Sequence, residues 1–544
     1  MDLKYTAEQD AAINYNESMV VTACPGSGKT TVIVEKIRRI IPTLRDYQGV
    51  IAITFTVKAS DELKSRCKKN AFNTKQTFFG TIDSFCFKEI IHPFISRVWG
   101  KSDKDIQTVY NDDLEEEDKD AYADITSSVL TTEAFTADII DRLKALYKKG
   151  WLLMSSVGVI ANHIIENSES CRKYLSVKYK GVFVDEYQDS SEPQHKLFLK
   201  LVDLGMIGTA VGDEDQSIYE FRGGNPEFVE DLKKVGSGFA SFNMTVNHRC
   251  HPSISNYARR LFDDKCALIQ TDEIMVRRYN IKGNQTDVAK QISKWIPNAK
   301  EKFDIKNNID IAILVRNNTS LGYVSQGLQV PHRVYEDNPL ASYSDVFSKL
   351  FTGLLHYRYN EKITSQEIIS DYIKSYFSER KCRDFRRVIK QVRRARASDE
   401  DLINSMQSVS CSVYGVPAPQ KIVQALKTIL STPSIKKQFE IKDENEIQVM
   451  TLHKAKGLEF DLVFHLDLYE WVFPWRKPTD NFDDPPLYPS WKQELDLHYV
   501  GITRAKKLCV LMTSTSRIKD GGLKKGQPSR FFELPGLKGL YLAK

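Results

Sequence analysis

The sequence has 544 residues, of which 41% are hydrophobic and 27% are charged, and its formal net charge is +6 at pH 7. This length indicates several folding units that need no disulfide or metal for stability, and the composition excludes wholesale disorder and fibrous repeats. No apolar run approaches the roughly 18 residues of a spanning helix, and the polar N-terminus is not typical of a signal peptide. The nine scattered cysteines lack a C-x-x-C pair, which predicts free thiols, a cytoplasmic location and no membrane association.

Short apolar strands alternate with helices along much of the chain. Such strands, when helices lie between them, indicate parallel sheets covered on both faces. The predicted helices of the first part are 30–41 and 58–68. The predicted strands are 18–23, 50–55, 181–184, 208–211, 309–315, 447–452, 462–466 and 508–512. Their distribution predicts an α/β fold with two lobes, one before about residue 245 and one after.

Two long segments, 101–179 and 336–440, interrupt this rhythm and are mostly helical in character. Within the second, residues 380–396 carry nine Lys or Arg residues in 17 positions. Five apolar residues recur there at helical spacing, which predicts an amphipathic helix with a basic outer face: Phe385, Val388, Ile389, Val392 and Ala395. That face is either a solvated surface or a surface that contacts phosphates or a partner.

The strongest local motif lies between a predicted strand and a predicted helix, where residues 23–30 read ACPGSGKT. It matches a P-loop except that Ala23 stands in the place of the first glycine. Backbone N–H groups of such a loop cradle phosphates at a helix N-terminus. We expect Lys29 to reach the β- and γ-phosphates of ATP and Thr30 to bind Mg²⁺. The predicted nucleotide-binding residues of the loop are Ala23, Pro25, Gly26, Ser27, Gly28, Lys29 and Thr30.

A second acidic motif supplies what a P-loop needs. Residues 182–189 read VFVDEYQD, an apolar strand that ends in two carboxylates. Asp185 is predicted to hold Mg²⁺ through water, and Glu186 to orient and deprotonate the attacking water. The two motifs together predict nucleotide hydrolysis.

The remaining motifs give the chain a resemblance to the UvrD/Rep family of superfamily 1 helicases, in the family's order. TAEQ with Gln9 resembles the adenine-reading Q motif. The other segments resemble motifs Ia, Ib, III, IV, IVa, V and VI: ITFTVKAS (53–60), GTIDSFC (80–86), VGDEDQSIYEFRGG (211–224), VNHRC (246–250), AILVRN (312–317), VMTLHKAKGLEF (449–460) and YVGITRAKKL (499–508).

The resemblance implies a role for individual residues. Gln216 would sense the γ-phosphate, Arg249 and Arg504 would act as arginine fingers that neutralise the transferred phosphoryl group, and Glu459 would bind the ribose. The implied contacts to single-stranded DNA are stacking on aromatic rings and contacts to phosphates or bases. The aromatic rings could instead be core residues. The implied DNA-binding residues are Phe55, Lys58, Tyr219, Phe221, Arg222, Thr451 and His453.

The family also implies two RecA-like P-loop lobes with two inserted subdomains. By this analogy lobe 1A is 1–100 and 171–245, and lobe 2A is 246–335 and 441–544. The inserts 101–170 and 336–440 correspond to subdomains 1B and 2B. ATP would bind between the lobes and close them.

The chain departs from the family pattern in three places. Thr31 and His248 stand where an arginine and a tyrosine sandwich the adenine, which predicts weaker base selectivity. Asp83 replaces a DNA-contacting histidine, and its charge predicts loss of that contact. The insert 336–440 is short, which predicts a reduced unwinding apparatus.

Within the family, the short chain and residues 80–95 resemble the helicase-like GajB subunits of the Gabija anti-phage defence system. That group works beside a nuclease with an ATPase domain, GajA, so the resemblance implies a GajA-like partner. Two functions stay open: a DNA-sensing ATPase subunit of a defence complex, and a free-standing 3'-5' helicase of repair or replication.

Overall fold

The computed structural model describes residues 5–111, 114, 116–126, 129–343, 345–372, 379–395, 398–479 and 484–543. Its strands form two large parallel sheets, a parallel pair and a hairpin. The α/β prediction with parallel sheets is therefore confirmed.

The strands of the first part of the chain alternate with helices. The strands are β1 (Met19–Ala23), β2 (Gly49–Ile53), β3 (Phe78–Gly80), β4 (Gln107–Val109), β5 (Trp151–Leu153), β6 (Tyr179–Asp185), β7 (Ile207–Gly212) and β8 (Ala240–Met244). The helices are α1 (Ala7–Asn14), α2 (Lys29–Ile40), α3 (Val57–Lys68), α4 (Ile82–Phe85), α5 (His92–Trp99), α6 (Glu116–Ala121), α7 (Ala123–Thr126), α8 (Ala137–Lys148), α9 (Val157–Asn167), α10 (Glu169–Lys178), α11 (Glu192–Asp203) and α12 (Glu227–Lys233).

The first sheet has the strand order β3-β2-β6-β7-β1-β8, and every neighbouring pair is parallel. Val21 of β1 pairs with Val211 of β7, and Ile51 of β2 pairs with Val182 of β6. Because all strands run the same way, the residues that follow β1, β6 and β7 meet at one edge. That edge carries the P-loop and the acidic motif.

The second part of the chain repeats this plan. Its strands are β9 (Val276–Ile281), β10 (Ile311–Val315), β11 (His332–Val334), β12 (Ile447–Thr451), β13 (Phe460–His465), β14 (Ala505–Ser514), β15 (Ser516–Lys519), β16 (Gly522–Lys525) and β17 (Leu542–Ala543). Its helices are α13 (Pro252–Arg259), α14 (Gln285–Lys302), α15 (Asn318–Gly327), α16 (Val346–Tyr359), α17 (Ser365–Tyr372), α18 (Glu379–Arg394), α19 (Asp399–Tyr414), α20 (Gln420–Ser431), α21 (Pro433–Lys437), α22 (Leu452–Ala455) and α23 (Trp491–Ile502).

The second sheet is also wholly parallel, in the order β11-β12-β10-β13-β14-β9-β17. The predicted strands 309–315, 447–452, 462–466 and 508–512 correspond to β10, β12, β13 and β14. Strands β15 and β16 form an antiparallel hairpin beside this sheet.

The two inserted segments differ in how they are packed. Buried residues of 340–439 form a cluster of their own, from Leu340 to Phe439. In contrast, buried residues of the first insert belong to the same cluster as β2, β6 and β7 of the first sheet. The first insert is thus an extension of the first lobe's core, while the second insert has its own core.

Helix α18 confirms the predicted amphipathic stripe. Phe385, Ile389 and Val392 are buried in the core of the second insert, and Val388 and Ala395 pack partly against it. The helix ends at Arg394, and residue 396, where the predicted helix ends, lies outside the described residues. No described helix has the length and apolar character needed to cross a membrane.

Candidate active site

The P-loop connects β1 to α2 and contains two glycines in left-handed conformation. Gly26 has φ 72° and Gly28 has φ 87°. A Cβ on Gly26 would lie 2.5 Å from the Cβ of Arg249, and one on Gly28 would lie 2.6 Å from Nε2 of Gln9. Ala23 is the last residue of β1 and has no positive φ, so its backbone does not require a glycine there.

The first residues of α2 face the acidic end of β6 and the loop after β7. Lys29 Nζ donates to the Ala23 carbonyl at 3.2 Å and lies 3.7 Å from Asp213 Oδ2. Thr30 Oγ1 donates to Asp185 Oδ2 at 3.1 Å. Burial and the charge of Glu186 raise the pKa of Asp185 to about 6.

A hydroxyl and a carboxylate at this spacing fit Mg²⁺, a cation that takes oxygen ligands and is commonly held by one or two carboxylates together with substrate phosphates. Thr30 and Asp185 would hold the ion here. When bound, Mg²⁺ would neutralise charge on the phosphates.

Glu186 lies directly beyond β6 in an unusual backbone conformation, with φ 56° and ψ 45°. This region is uncommon for residues other than glycine, and such strain is concentrated at functional sites. Its Oε2 accepts a hydrogen bond from Gln188 Nε2 at 2.7 Å. Burial raises the pKa of Glu186, but Lys456, Lys29 and Gln188 outweigh burial and lower it to about 2. Glu186 is therefore ionised at neutral pH.

Two side chains of the second lobe reach the first lobe at this point. Arg504 is 2% exposed, and its Nη2 donates to Gln216 Oε1 at 2.8 Å. Lys456 Nζ forms an ion pair with Asp189 Oδ2 at 2.5 Å and donates to the Gln216 carbonyl at 2.7 Å. Burial, followed by the charge of Arg249, lowers the pKa of Arg504 to about 9. The two links join the lobes beside Glu186.

His248 makes a third contact between the lobes, and the neighbouring Arg249 is held by residues of the second lobe. The backbone N–H of His248 donates to the Gly26 carbonyl at 3.0 Å. Arg249 Nε donates to Glu459 Oε2 at 2.9 Å, and its Nη1 donates to the Thr503 carbonyl at 3.3 Å. Glu459, the predicted ribose ligand, is thus paired with Arg249, one of the predicted arginine fingers.

Gln9 contacts the P-loop from helix α1. It closes a capping box at the start of α1, where its Oε1 accepts from Thr6 N at 2.9 Å. Its Nε2 donates to the Ser27 carbonyl at 2.8 Å. The side chain is buried, and both the oxygen and the nitrogen of its amide have protein partners.

A cleft of about 1540 Å³ runs between the lobes and brings together most of the predicted residues. It is lined by Pro25, Gly26, Gly28, Lys29, Thr30, Thr31, Asp185, Glu186, Gln216, His248, Arg249, Glu459 and Arg504, and by every predicted DNA-binding residue: Phe55, Lys58, Tyr219, Phe221, Arg222, Thr451 and His453. Gln9, Ala23 and Ser27 are not among the lining residues.

The aromatic residues predicted to stack on DNA differ in accessibility. Tyr219 is 9% exposed and stacks on Phe55, with ring centroids 4.4 Å apart, whereas Phe221 is 62% exposed. The Arg222 guanidinium lies 5.5 Å from the ring centroids of both Tyr219 and Phe221. Burial and nearby Arg316 lower the pKa of His453 to about 4, so His453 is neutral at pH 7. Phe221 is the aromatic face that is most open to a base.

Sequence reasoning missed several residues of this site. Lys456, Asp189 and Asp213 lie inside motifs that the sequence analysis quoted, but no role was assigned to them. Their charge within a motif was the available signal; their pairing was not visible, because Lys456 and Asp189 are 267 residues apart. Asp83, the departure in motif Ib, accepts a hydrogen bond from Gln194 Nε2 at 3.3 Å.

Two family models match this chain. Residues 5–133 and 99–235 match the family described as "UvrD/REP helicase N-terminal domain", and residues 335–516 match the "UvrD-like helicase C-terminal domain". The chain therefore belongs to the UvrD/REP helicase family and is an ATP-hydrolysing enzyme of the helicase type.

Individual relatives are similar over nearly their whole length. The Gabija protein GajB of Bacillus cereus is 25% identical over 528 residues, which is 91% of this chain and 93% of that protein. The ATP-dependent DNA helicase Rep of Buchnera aphidicola is 25% identical over 639 residues, with 96% and 94% covered. The ATP-dependent DNA helicase PcrA of Staphylococcus epidermidis is 24% identical over 653 residues, with 97% and 86% covered.

Proposed function

We propose that this chain is a DNA-stimulated ATPase in which hydrolysis at the P-loop is coupled to movement of the two lobes on single-stranded DNA or DNA ends. The observation that carries this proposal is the contact of Arg504 and Lys456 with the first lobe beside Glu186. A γ-phosphate bound near Lys29 would lie between the lobes, so its loss on hydrolysis would change the charge that holds them together.

The proposed roles follow the chemistry of each side chain. Lys29 and the loop amides bind phosphates, Thr30 and Asp185 hold Mg²⁺, and Glu186 accepts the proton of the attacking water. Arg504 and Arg249 face the phosphate end of the cleft from the second lobe, where a guanidinium stabilises the transferred phosphoryl group. Phe221, Arg222 and Lys58 contact the DNA strand.

We further propose that the chain acts as the helicase-like subunit of a defence complex with a nuclease, as the similarity to GajB suggests. The alignment with Rep covers 639 positions, more than the 544 residues of this chain, so Rep contains segments that this chain lacks. The alignment with GajB spans 528 positions, fewer than the length of this chain. This chain is therefore closer in length to GajB than to Rep. The similarity to Rep and PcrA favours the alternative, a free-standing 3'-5' helicase.

The outer face of α18 is where the partner proposal can be tested. Arg383, Arg387 and Lys390 are exposed on this face. Arg393 is not a suitable target, because its guanidinium donates to the carbonyls of Tyr357, Asn360 and Ile363 and so holds the end of α16. A charge reversal at Arg393 would damage the insert itself.

The experiment is the triple variant Arg383→Glu, Arg387→Glu and Lys390→Glu, and its control is Lys427→Glu, an exposed residue on α20 of the same insert. Size-exclusion of each protein with the product of the neighbouring gene measures complex formation. If α18 binds a protein, the triple variant elutes alone while its ATPase rate is unchanged. If the wild type forms no complex and unwinds DNA processively alone, the free-standing helicase is the correct function.

A further inference from the structure

One wall of the cleft beside the P-loop helix is formed by α3. Ala59, Glu62 and Arg66 line the cleft, and their spacing of three and four residues places them on one face of the helix. Arg66 is the residue of this face nearest the C-terminal end of α3. Neither the sequence motifs nor the family roles assign a function to it.

The guanidinium of Arg66 is directed at α2. Its Nη2 donates to Thr31 Oγ1 at 2.8 Å. Glu62 is four residues earlier on the same helix, where an ion pair would be expected, yet within the described ranges no carboxylate lies within 4 Å of Arg66. The side chain is half-buried, and its N–H donates to Thr31 in the plane of the guanidinium, so this bond does not cover the flat faces of the group.

Thr31 and Arg66 line the cleft next to the P-loop. Thr30 contacts Asp185 at the phosphate end, and Thr31 is the next residue of α2. On the opposite wall, His248 is anchored to the loop by its backbone bond to Gly26. A nucleotide with its phosphates on residues 26–30 would therefore carry its base between Thr31, Arg66 and His248, all of which line the cleft.

Thr31 alone is too small to cover a purine ring, whereas a guanidinium is planar and stacks on aromatic faces. We propose that Arg66 supplies the stacking face for the nucleotide base, held in place by its hydrogen bond to Thr31. His248 then closes the other side of the base. This inference deepens the proposed function and depends on the P-loop binding ATP.

The test compares two ligands that share the phosphates but differ in the base: Mg·ATP and Mg·tripolyphosphate. Dissociation constants are measured by calorimetry for the wild type, Arg66→Ala and Arg66→Lys, with Lys68→Ala near the same end of α3 as control. A cation on an aromatic face corresponds to about a 2- to 30-fold change in affinity. We expect Arg66→Ala to weaken ATP binding within that range and to leave tripolyphosphate binding within about twofold.

Arg66→Lys keeps the charge but loses the plane, so it should also weaken ATP selectively. Equal weakening of both ligands, or unchanged ATP affinity in Arg66→Ala, would overturn the inference. Absence of ATP binding by the wild type would instead refute the proposed function. Thermal unfolding of each variant verifies that it is folded.

Discussion

The ion pair between Lys456 and Asp189 makes a quantitative prediction. The Lys456 side chain is 7% exposed and that of Asp189 is 0% exposed, and the pair joins the two lobes. Replacing Lys456 with Met keeps the length of the side chain but removes the charge. Removal of one partner from a buried pair costs about 3–5 kcal/mol.

The structure places this variant at the lower end of that range. Burial raises the pKa of Asp189 to about 7, even though Lys456 lowers it. Without Lys456, Asp189 takes up a proton at neutral pH and avoids a buried unpaired charge. We therefore expect Lys456→Met to cost about 3 kcal/mol. At roughly 2–4 °C per kcal/mol for a unit of this size, the Tm of the first lobe should fall by about 6–12 °C.

Differential scanning fluorimetry at pH 7 measures the shift, and a double-mutant cycle assigns it. Asp189→Asn is the second single variant, and the double variant removes both charges. Because a buried pair replaced as a whole is far less costly than a broken one, the double variant should be more stable than the sum of the single losses predicts. A coupling free energy below about 0.5 kcal/mol, the usual scatter of additivity, would refute the reasoning.

Two further predictions concern the DNA surface and acid stability. Phe221→Ala should weaken single-stranded DNA binding by about 1–3 kcal/mol in a fluorescence anisotropy assay without a change in Tm. Tyr219→Ala removes a buried ring and should lower Tm. A lower Tm in Phe221→Ala together with an unchanged Tm in Tyr219→Ala would contradict the structure. Burial lowers the pKa of His498 and His465 in the folded chain. Below about pH 6.5 these histidines are protonated in the unfolded chain but stay neutral in the folded chain, so the free energy of unfolding falls as the pH drops. His498→Phe should remove about 1.4 kcal/mol of the loss between pH 7.5 and 5.5, measured as Tm against pH, and an unchanged acid slope would contradict this.

The strands predicted from the sequence are those with continuous apolar runs. β1 and β10 are buried along nearly their whole length, and such runs are visible without a structure. The sequence analysis missed β8, with the sequence ASFNM, and β9, with VRRYNI. β8 is an edge strand, and both mix polar residues with apolar ones, so neither shows a continuous apolar run.

The site also has a part that the sequence predicts and a part that it does not. That Lys29, Thr30, Asp185 and Glu186 lie together could be predicted, because each belongs to a short motif at the end of a parallel strand. The bond from Arg66 to Thr31 could not be predicted, because it depends on how α3 packs against α2. A motif identifies functional residues that are close together in the sequence. Contacts between residues of different helices and strands depend on how those elements pack.

We propose that Glu186 accepts the proton of the attacking water in a DNA-stimulated ATPase. The most direct measurement is the steady-state rate of ATP hydrolysis with and without single-stranded DNA, for the wild type and Glu186→Gln, alongside ATP affinity. We expect DNA-stimulated hydrolysis by the wild type, and a rate at least about 10²-fold lower in Glu186→Gln with ATP binding retained. Full DNA-stimulated activity in Glu186→Gln would contradict it.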